Sequence, residues 1–243
     1  MLKIFRSELS KLKRSMVWLA ITLLPLISVS IGTLNYMQNL GALQQEWYSL
    51  WTQVCLFYNY FFFPAMVAVI CSYLCRLEHK GNNWNLLLSQ PVSIPAIYLA
   101  KFLTGTLLTC ITQFLLAVFY ILAGISAGLV LPLPEIFWMW VARSCLCAAV
   151  IVAVQLLVSL LIKSFALPIG VAIAGSISGL LMFMQNWGLF SPYALLTVGT
   201  GSAAPVETLS SSMKIGFYIS AVTFLLLFGL LGVLVIRRRV ILR

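Results

Sequence analysis

Residues 136–162 read IFWMWVARSCLCAAVIVAVQLLVSLLI, an apolar run from Ile136 to Ile162 with one charge in it, Arg143. An α-helix rises about 1.5 Å per residue and the hydrocarbon core of a bilayer is about 30 Å thick, so about 20 such residues are enough to cross it. Working outward, the same reading applies to Tyr98–Gly124, Thr52–Leu74 and Met16–Asn35 before this run and to Ala166–Asn186 and Ile215–Ile236 after it. The composition agrees. Of 243 residues, 62% are hydrophobic and only 8% charged, with a mean hydropathy of +1.06, whereas charged residues make up about 25% of ordinary soluble domains. The expected fold is therefore all-α and integral to a membrane, six transmembrane helices in a single domain over residues 1–243, with no room for a soluble domain.

The net charge of +10 comes from 15 Lys and Arg against five Glu, with no Asp. In a soluble protein such a balance suggests nucleic acid, but the polar surface here is too small for that partner. Its use is to orient the helices, because Lys and Arg in short flanks stay on the cytoplasmic side. With the N-terminus inside, Lys3, Arg6, Lys11, Lys13 and Arg14, then Arg76, Lys80 and Lys101, then Lys163, then Arg237, Arg238, Arg239 and Arg243 are all cytoplasmic. Only Arg143 and Lys214 remain near the outer side, so both termini are expected in the cytoplasm. Trp47, Trp51, Trp138, Trp140 and Trp187 fall at the outer edge and Trp18 at the inner one, where interfacial aromatic belts belong. The first run is long for the apolar core of a signal peptide and is read as a permanent helix.

Several chemistries have no residues to carry them. No G-x-x-x-x-G-K-[ST] loop is present, so the chain has no nucleotide-binding loop of its own. The single histidine, His79, lies between two spans, which leaves neither a zinc-protease helix nor a Ser/His hydrolase. The Glu residues all sit in loops or at interfaces, so the mid-membrane carboxylate typical of ion-coupled carriers is missing. Cys71 and Cys75, one turn apart, read as a soft-metal pair or as small buried hydrophobes, and the second reading leaves the chain with no metal site. Arg143, about two turns into its span, reads as snorkelling toward the outer interface.

Two segments carry amphipathic patterns. In MLKIFRSELSKLKRS, residues 1–15, Leu2, Phe5, Leu9 and Leu12 recur at helical steps among Lys3, Arg6, Lys11 and Lys13, which describes an interface helix lying on an anionic leaflet. In CRLEHKGNNWNLLLSQPVSIPAIYLAK, residues 75–101, Leu77, Trp84 and Leu88 share a face while Arg76, Glu78, His79, Lys80 and three Asn form a polar one. Pro91 and Pro95 then end the helix. A helix of this kind over residues 75–89 suits docking into a groove of a soluble partner, and a solvated topogenic loop is the other reading.

The runs Glu78-His79-Lys80, Trp84-Asn85-Leu86-Leu87-Leu88-Ser89, Pro91-Val92-Ser93 and Ala100-Lys101, together with Phe5-Arg6-Ser7-Glu8-Leu9, resemble ABC-2 type permeases. More narrowly, the size and both motifs are similar to the small permease subunits of bacterial lantibiotic immunity exporters, a group that includes bacitracin-resistance permeases. The sharp motifs cover about the first hundred residues, and the six-helix plan covers the rest. The resemblance implies a type V exporter-like fold in which residues 75–89 form the coupling helix on a separate ABC ATPase subunit. It also implies two permease chains, identical or paralogous, with two ATPases that bind ATP and Mg, no cofactor on this chain, and no catalysis by it. Glu78 lies on the family motif and is the first expected coupling residue; Arg76, His79, Lys80 and Trp84 follow from the amphipathic face.

Family analogy further places the second and fifth spans at a central pathway, so the polar and aromatic face Gln53, Tyr58, Asn59, Tyr60 and Phe61 is expected to line it. Ordinary hydrogen bonding between helices is the alternative. Span five repeats small residues, Gly170, Ala174 and Ser178 on one track and Gly175 and Gly179 on another, spaced for close helix packing or contact with a second copy. Pro25, Pro64 and Pro168 are expected to kink their helices. Residues 187–213 are too short to cross and too apolar for a free loop, and Pro192–Val198 reads as a re-entrant half helix on the outer side. The implied function is the permease of an exporter in the bacterial plasma membrane that expels an amphipathic peptide of lantibiotic type. Export of a small drug, a bacitracin-like or a lipid-linked compound is the first alternative, and a membrane scaffold or sensor is the second.

Overall fold

The computed structural model describes residues 2–13, 15–79, 83–84, 90–202 and 210–241, with side chains through Arg238. Every regular element among the described residues is helical. In chain order they are α1 (Leu2–Lys11), α2 (Val17–Gln38), α3 (Glu46–Phe57), a π-helical turn (Tyr58–Phe62), α4 (Phe63–His79), α5 (Ile94–Ser126), α6 (Phe137–Leu161), α7 (Ala166–Met184), a 3-10 turn (Gly188–Phe190), α8 (Ala194–Thr200) and α9 (Ser211–Ile241). Six helices are long and apolar enough to cross a membrane, with α3, the π turn and α4 joined into one span of 34 residues, Glu46–His79. That span outruns the apolar stretch Thr52–Leu74 at both ends. At about 1.5 Å per residue it is about 50 Å long, more than a hydrocarbon core needs. Hydropathy stops where Glu46, Arg76 and Glu78 begin, but the helix continues: Trp47, Leu50 and Trp51 are buried by protein at one end, and Glu78 is paired with Lys11 and Lys101 at the other.

Helix α6 is the centre of the bundle: 72% of its most apolar window is buried by protein, against 17% for α9 and 22% for α7. It packs against α4, α5, α8 and α9, which accounts for its being apolar on every side. Helix α2 crosses α3 at Gly32, where a Cβ would lie 2.6 Å from the Val54 Cα. Ser28 Oγ donates to the Val54 carbonyl beside this crossing, at 3.0 Å.

Trp47, Trp51 and Trp140 depart from the interfacial belt that their position suggests. All three are 3% exposed or less and form the core of the end of the bundle where α3 and α6 begin. Trp51 stacks on Trp140 with centroids 5.7 Å apart and meets Tyr120 edge-on at 5.0 Å. The indole N–H groups of Trp47 and Trp51 donate to the carbonyls of Val130 and Thr200, each at 2.8 Å, so burial leaves those two donors satisfied. Trp18, Trp138 and Trp187 remain exposed. Pro168 also differs from expectation, since it sits in the first turn of α7, where a missing N–H breaks no helical bond.

Candidate functional site

At the other end of the bundle, α1, the C-terminus of α4 and the first turns of α5 meet around four charges. Lys11 Nζ lies 2.6 Å from Glu8 Oε1 and 2.5 Å from Glu78 Oε1. Lys101 Nζ lies 3.2 Å from Glu8 Oε2 and 3.1 Å from Glu78 Oε2, and donates to the Leu74 carbonyl at 2.6 Å. Each carboxylate thus touches both ammonium groups, and the ring is neutral. Glu8, Glu78 and Lys101 are buried, with Lys101 0% and Glu78 4% exposed, and Lys11 is half-buried. Alternation of sign and a backbone acceptor are what such burial requires, since an isolated ion in this setting would cost several kcal/mol (~) to desolvate.

The ring explains the local sequence. On α1 the fully covered side chains are Glu8 and, just beyond the helix, Leu12, while Leu2 is exposed and Phe5 and Leu9 are half-buried. The helix therefore turns a charged position toward the protein and leaves Leu2, Lys3 and Arg6 on the outer surface. Glu8, Lys11 and Lys101 belong to the motifs and to the charge pattern, but sequence reasoning did not bring them together. A signal was present in the form of one Glu within a basic helix and one Lys within an apolar span.

Of the residues expected to face a partner, Glu78 points inward to this ring. Arg76 is exposed and lies over the Phe165 ring at 5.7 Å. His79 Nε2 is 2.8 Å from the Ser159 carbonyl, and Trp84 Nε1 is 3.3 Å from His79 Nδ1. One neutral tautomer, with its proton on Nε2, meets both contacts, donating to the carbonyl and accepting from the indole. Trp84 is 5% exposed. Lys80 lies outside the described residues, as does most of 80–89, and α4 already runs without a break to His79.

The polar face of span two is occupied within the chain. Gln53 Oε1 accepts from Asn35 at 2.6 Å, and Tyr58 donates to Gln113 at 3.1 Å. Asn59 donates to Thr200 Oγ1 at 3.0 Å, and Thr197 Oγ1 donates to the Tyr60 hydroxyl at 2.9 Å. Those threonines are on α8, all seven of whose residues are buried. Phe61 alone of the five is exposed, at 50%. The π turn ends next to Pro64, which cannot donate to the Tyr60 carbonyl one turn back. Ser176 of α7 takes that acceptor at 2.6 Å, so the irregular turn of span two is fastened by span five.

The two small-residue tracks of α7 separate. A Cβ on Gly175 would collide with the Tyr193 ring, and one on Gly179 would come within 3.0 Å of the Ala194 backbone nitrogen, so this track seats α8 and its approach. Gly170, Ala174 and Ser178 face away from the protein and are exposed. Arg143 does not extend outward but is 6% exposed, at the bottom of a cleft at the far end. Among the described residues no group of three His, Cys, Asp or Glu side chains is arranged to hold a metal.

A search of curated proteins gives no match. A family model described as ABC-2 family transporter protein matches residues 4–179, more than two thirds of the chain and the whole charge ring. With six helices long and apolar enough to cross a membrane, the chain belongs to the ABC-2 family of transporter proteins, as a membrane permease subunit.

Proposed function

We propose that the chain works in an ATP-driven exporter, receiving the stroke of its ATPase through residues 75–93 and passing it on through the Glu8, Lys11, Glu78 and Lys101 ring. The observation that carries this reading is the ring, because it ties α1, α4 and α5 together beside the segment that joins α4 to α5. A push on that segment moves three elements as one body. Glu78 then acts by holding α4 to its neighbours, and the exposed Arg76 belongs to the surface offered to the ATPase. The working unit is two permease chains and two ATPases in a bacterial plasma membrane with both termini cytoplasmic. The exposed Gly170, Ala174 and Ser178 track is the face on which a second permease chain would approach closely.

The cargo in this reading is an amphipathic antimicrobial peptide of lantibiotic type, entering from the membrane. Its support is the resemblance of the motifs and the scarcity of fixed charge along the spans, where Lys101 is paired and Arg143 lies near one end, which suits a hydrophobic substrate. A P-loop ATPase should co-purify with the chain, and Glu78→Ala should lower substrate-dependent ATP hydrolysis in the complex. Unchanged hydrolysis in that variant contradicts the coupling role. Failure to recover any ATPase contradicts the transport reading as a whole.

A further inference from the structure

At the end of the bundle opposite the charge ring, α6 and α9 border an open cleft of about 380 Å3. Its floor is Arg143, six residues into α6 and 6% exposed, and Lys214 stands exposed at its rim on the first turns of α9. The sides are Phe217 and three side chains that also face the surroundings of the bundle: Ile136, Met139 and Tyr218, 37%, 50% and 46% exposed. Glu135, the remaining charge in the cleft, sits at its mouth and is exposed. The cleft thus has a cationic interior, one carboxylate at the entrance, and an apolar side open toward lipid.

We infer that this cleft is a binding site for an anionic phospholipid, whose phosphate lies between Arg143 and Lys214 and whose acyl chains lie along Met139 and Tyr218. Three observations point to this class of ligand. Arg143 is about 9 Å along α6 from its first residue at about 1.5 Å per residue, a depth at which a guanidinium is held by anions, carbonyls or water and is a functional-site candidate by default. Its planar fork pairs with two oxygens of a phosphate, and with Lys214 beside it a headgroup that brings no ammonium of its own is favoured over a zwitterionic one. The apolar flank is continuous with lipid, so a ligand with chains enters sideways and a soluble anion gains nothing from that flank. The matched family region ends at residue 179, so it takes in the α6 side of the cleft and leaves out the α9 wall with Lys214, Phe217 and Tyr218. The site does not depend on the transport reading.

Native mass spectrometry of the full chain, released from micelles containing phosphatidylglycerol or phosphatidylcholine of the same acyl composition, tests the inference. The wild type should retain phosphatidylglycerol in preference to phosphatidylcholine. Lys214→Gln, at an exposed position that leaves the fold intact, should lower that retention about fivefold, the usual worth of one cation near a lipid surface. Glu135→Gln should raise it, because a carboxylate is removed from the same mouth, and Arg143→Gln should abolish the preference. Lys3→Gln with Arg6→Gln, on the basic surface of α1 at the other end, should leave the effect of Lys214→Gln unchanged. Equal retention of the two lipids by the wild type, or retention indifferent to Lys214→Gln and Glu135→Gln, overturns the site. Displacement of the lipid by millimolar inorganic phosphate shows a soluble-anion site and overturns the lipid assignment.

Discussion

Lys101 carries its charge with no part of the side chain exposed, and the cost of that arrangement makes it testable. Lys101→Met leaves two carboxylates facing one ammonium in a buried site, and removal of one partner from such a network typically costs about 3–5 kcal/mol. Thermal unfolding in detergent should show that loss. The double variant Glu78→Gln, Lys101→Met restores neutrality and keeps the Glu8–Lys11 pair, so it should recover most of it. At this scale the sequence was partly legible. The motif around Glu78 and the charges of the first helix are visible as residue types, but ion pairing across 67 and 93 positions is not, because no local period encodes it. The same holds for Asn59 and Tyr60: their polarity in an apolar helix announces a role, while the acceptors and donors on α8 that they meet are 141 and 137 residues away. Ser176 is a plain case, since nothing near it in sequence shows that Pro64 leaves the Tyr60 carbonyl open.

The elements themselves were the most legible part. Length and hydropathy locate all six spans because lipid imposes one requirement on each, a run of about 20 apolar residues with internally bonded backbone. The ends were less legible, as in the extension of span two to Glu46 and His79, where the protein replaces lipid as the solvent of the helix. Helix α7 shows what spacing alone leaves open. Its two small-residue tracks look alike in sequence, but only Gly175 and Gly179 are covered, by Tyr193 and Ala194. Gly175→Leu should therefore disrupt the seating of Tyr193 and lower thermal stability by about 1–3 kcal/mol, as overpacking does. Ala174→Leu, on the exposed track, should leave the unfolding temperature of the single chain unchanged. If the permease pairs through this face, sedimentation or cross-linking of Ala174→Leu should show fewer dimers than the wild type.

For the whole molecule, the proposed orientation, with both termini cytoplasmic, makes a prediction of its own. A single cysteine at Ser210 should be labelled by an impermeant reagent from outside intact cells, and one at Asn83 only after the membrane is opened; the opposite pattern would reverse the topology. In that orientation the four-charge ring lies on the side of the ATPase and the Arg143 cleft on the far side, joined by α6, the most buried of the spans. The ring is thus the point where force would enter the bundle, and its role in coupling is separable from its role in stability. The most direct measurement is transport per ATP hydrolysed in proteoliposomes holding the permease and its ATPase, comparing wild type with the Glu78→Gln, Lys101→Met double variant at matched folded fraction. The account predicts that the double variant still binds the ATPase and hydrolyses ATP but moves several-fold less substrate per ATP, because α4 is no longer tied to α1 and α5 through all four charges. An unchanged ratio of transport to hydrolysis in the folded double variant would contradict it.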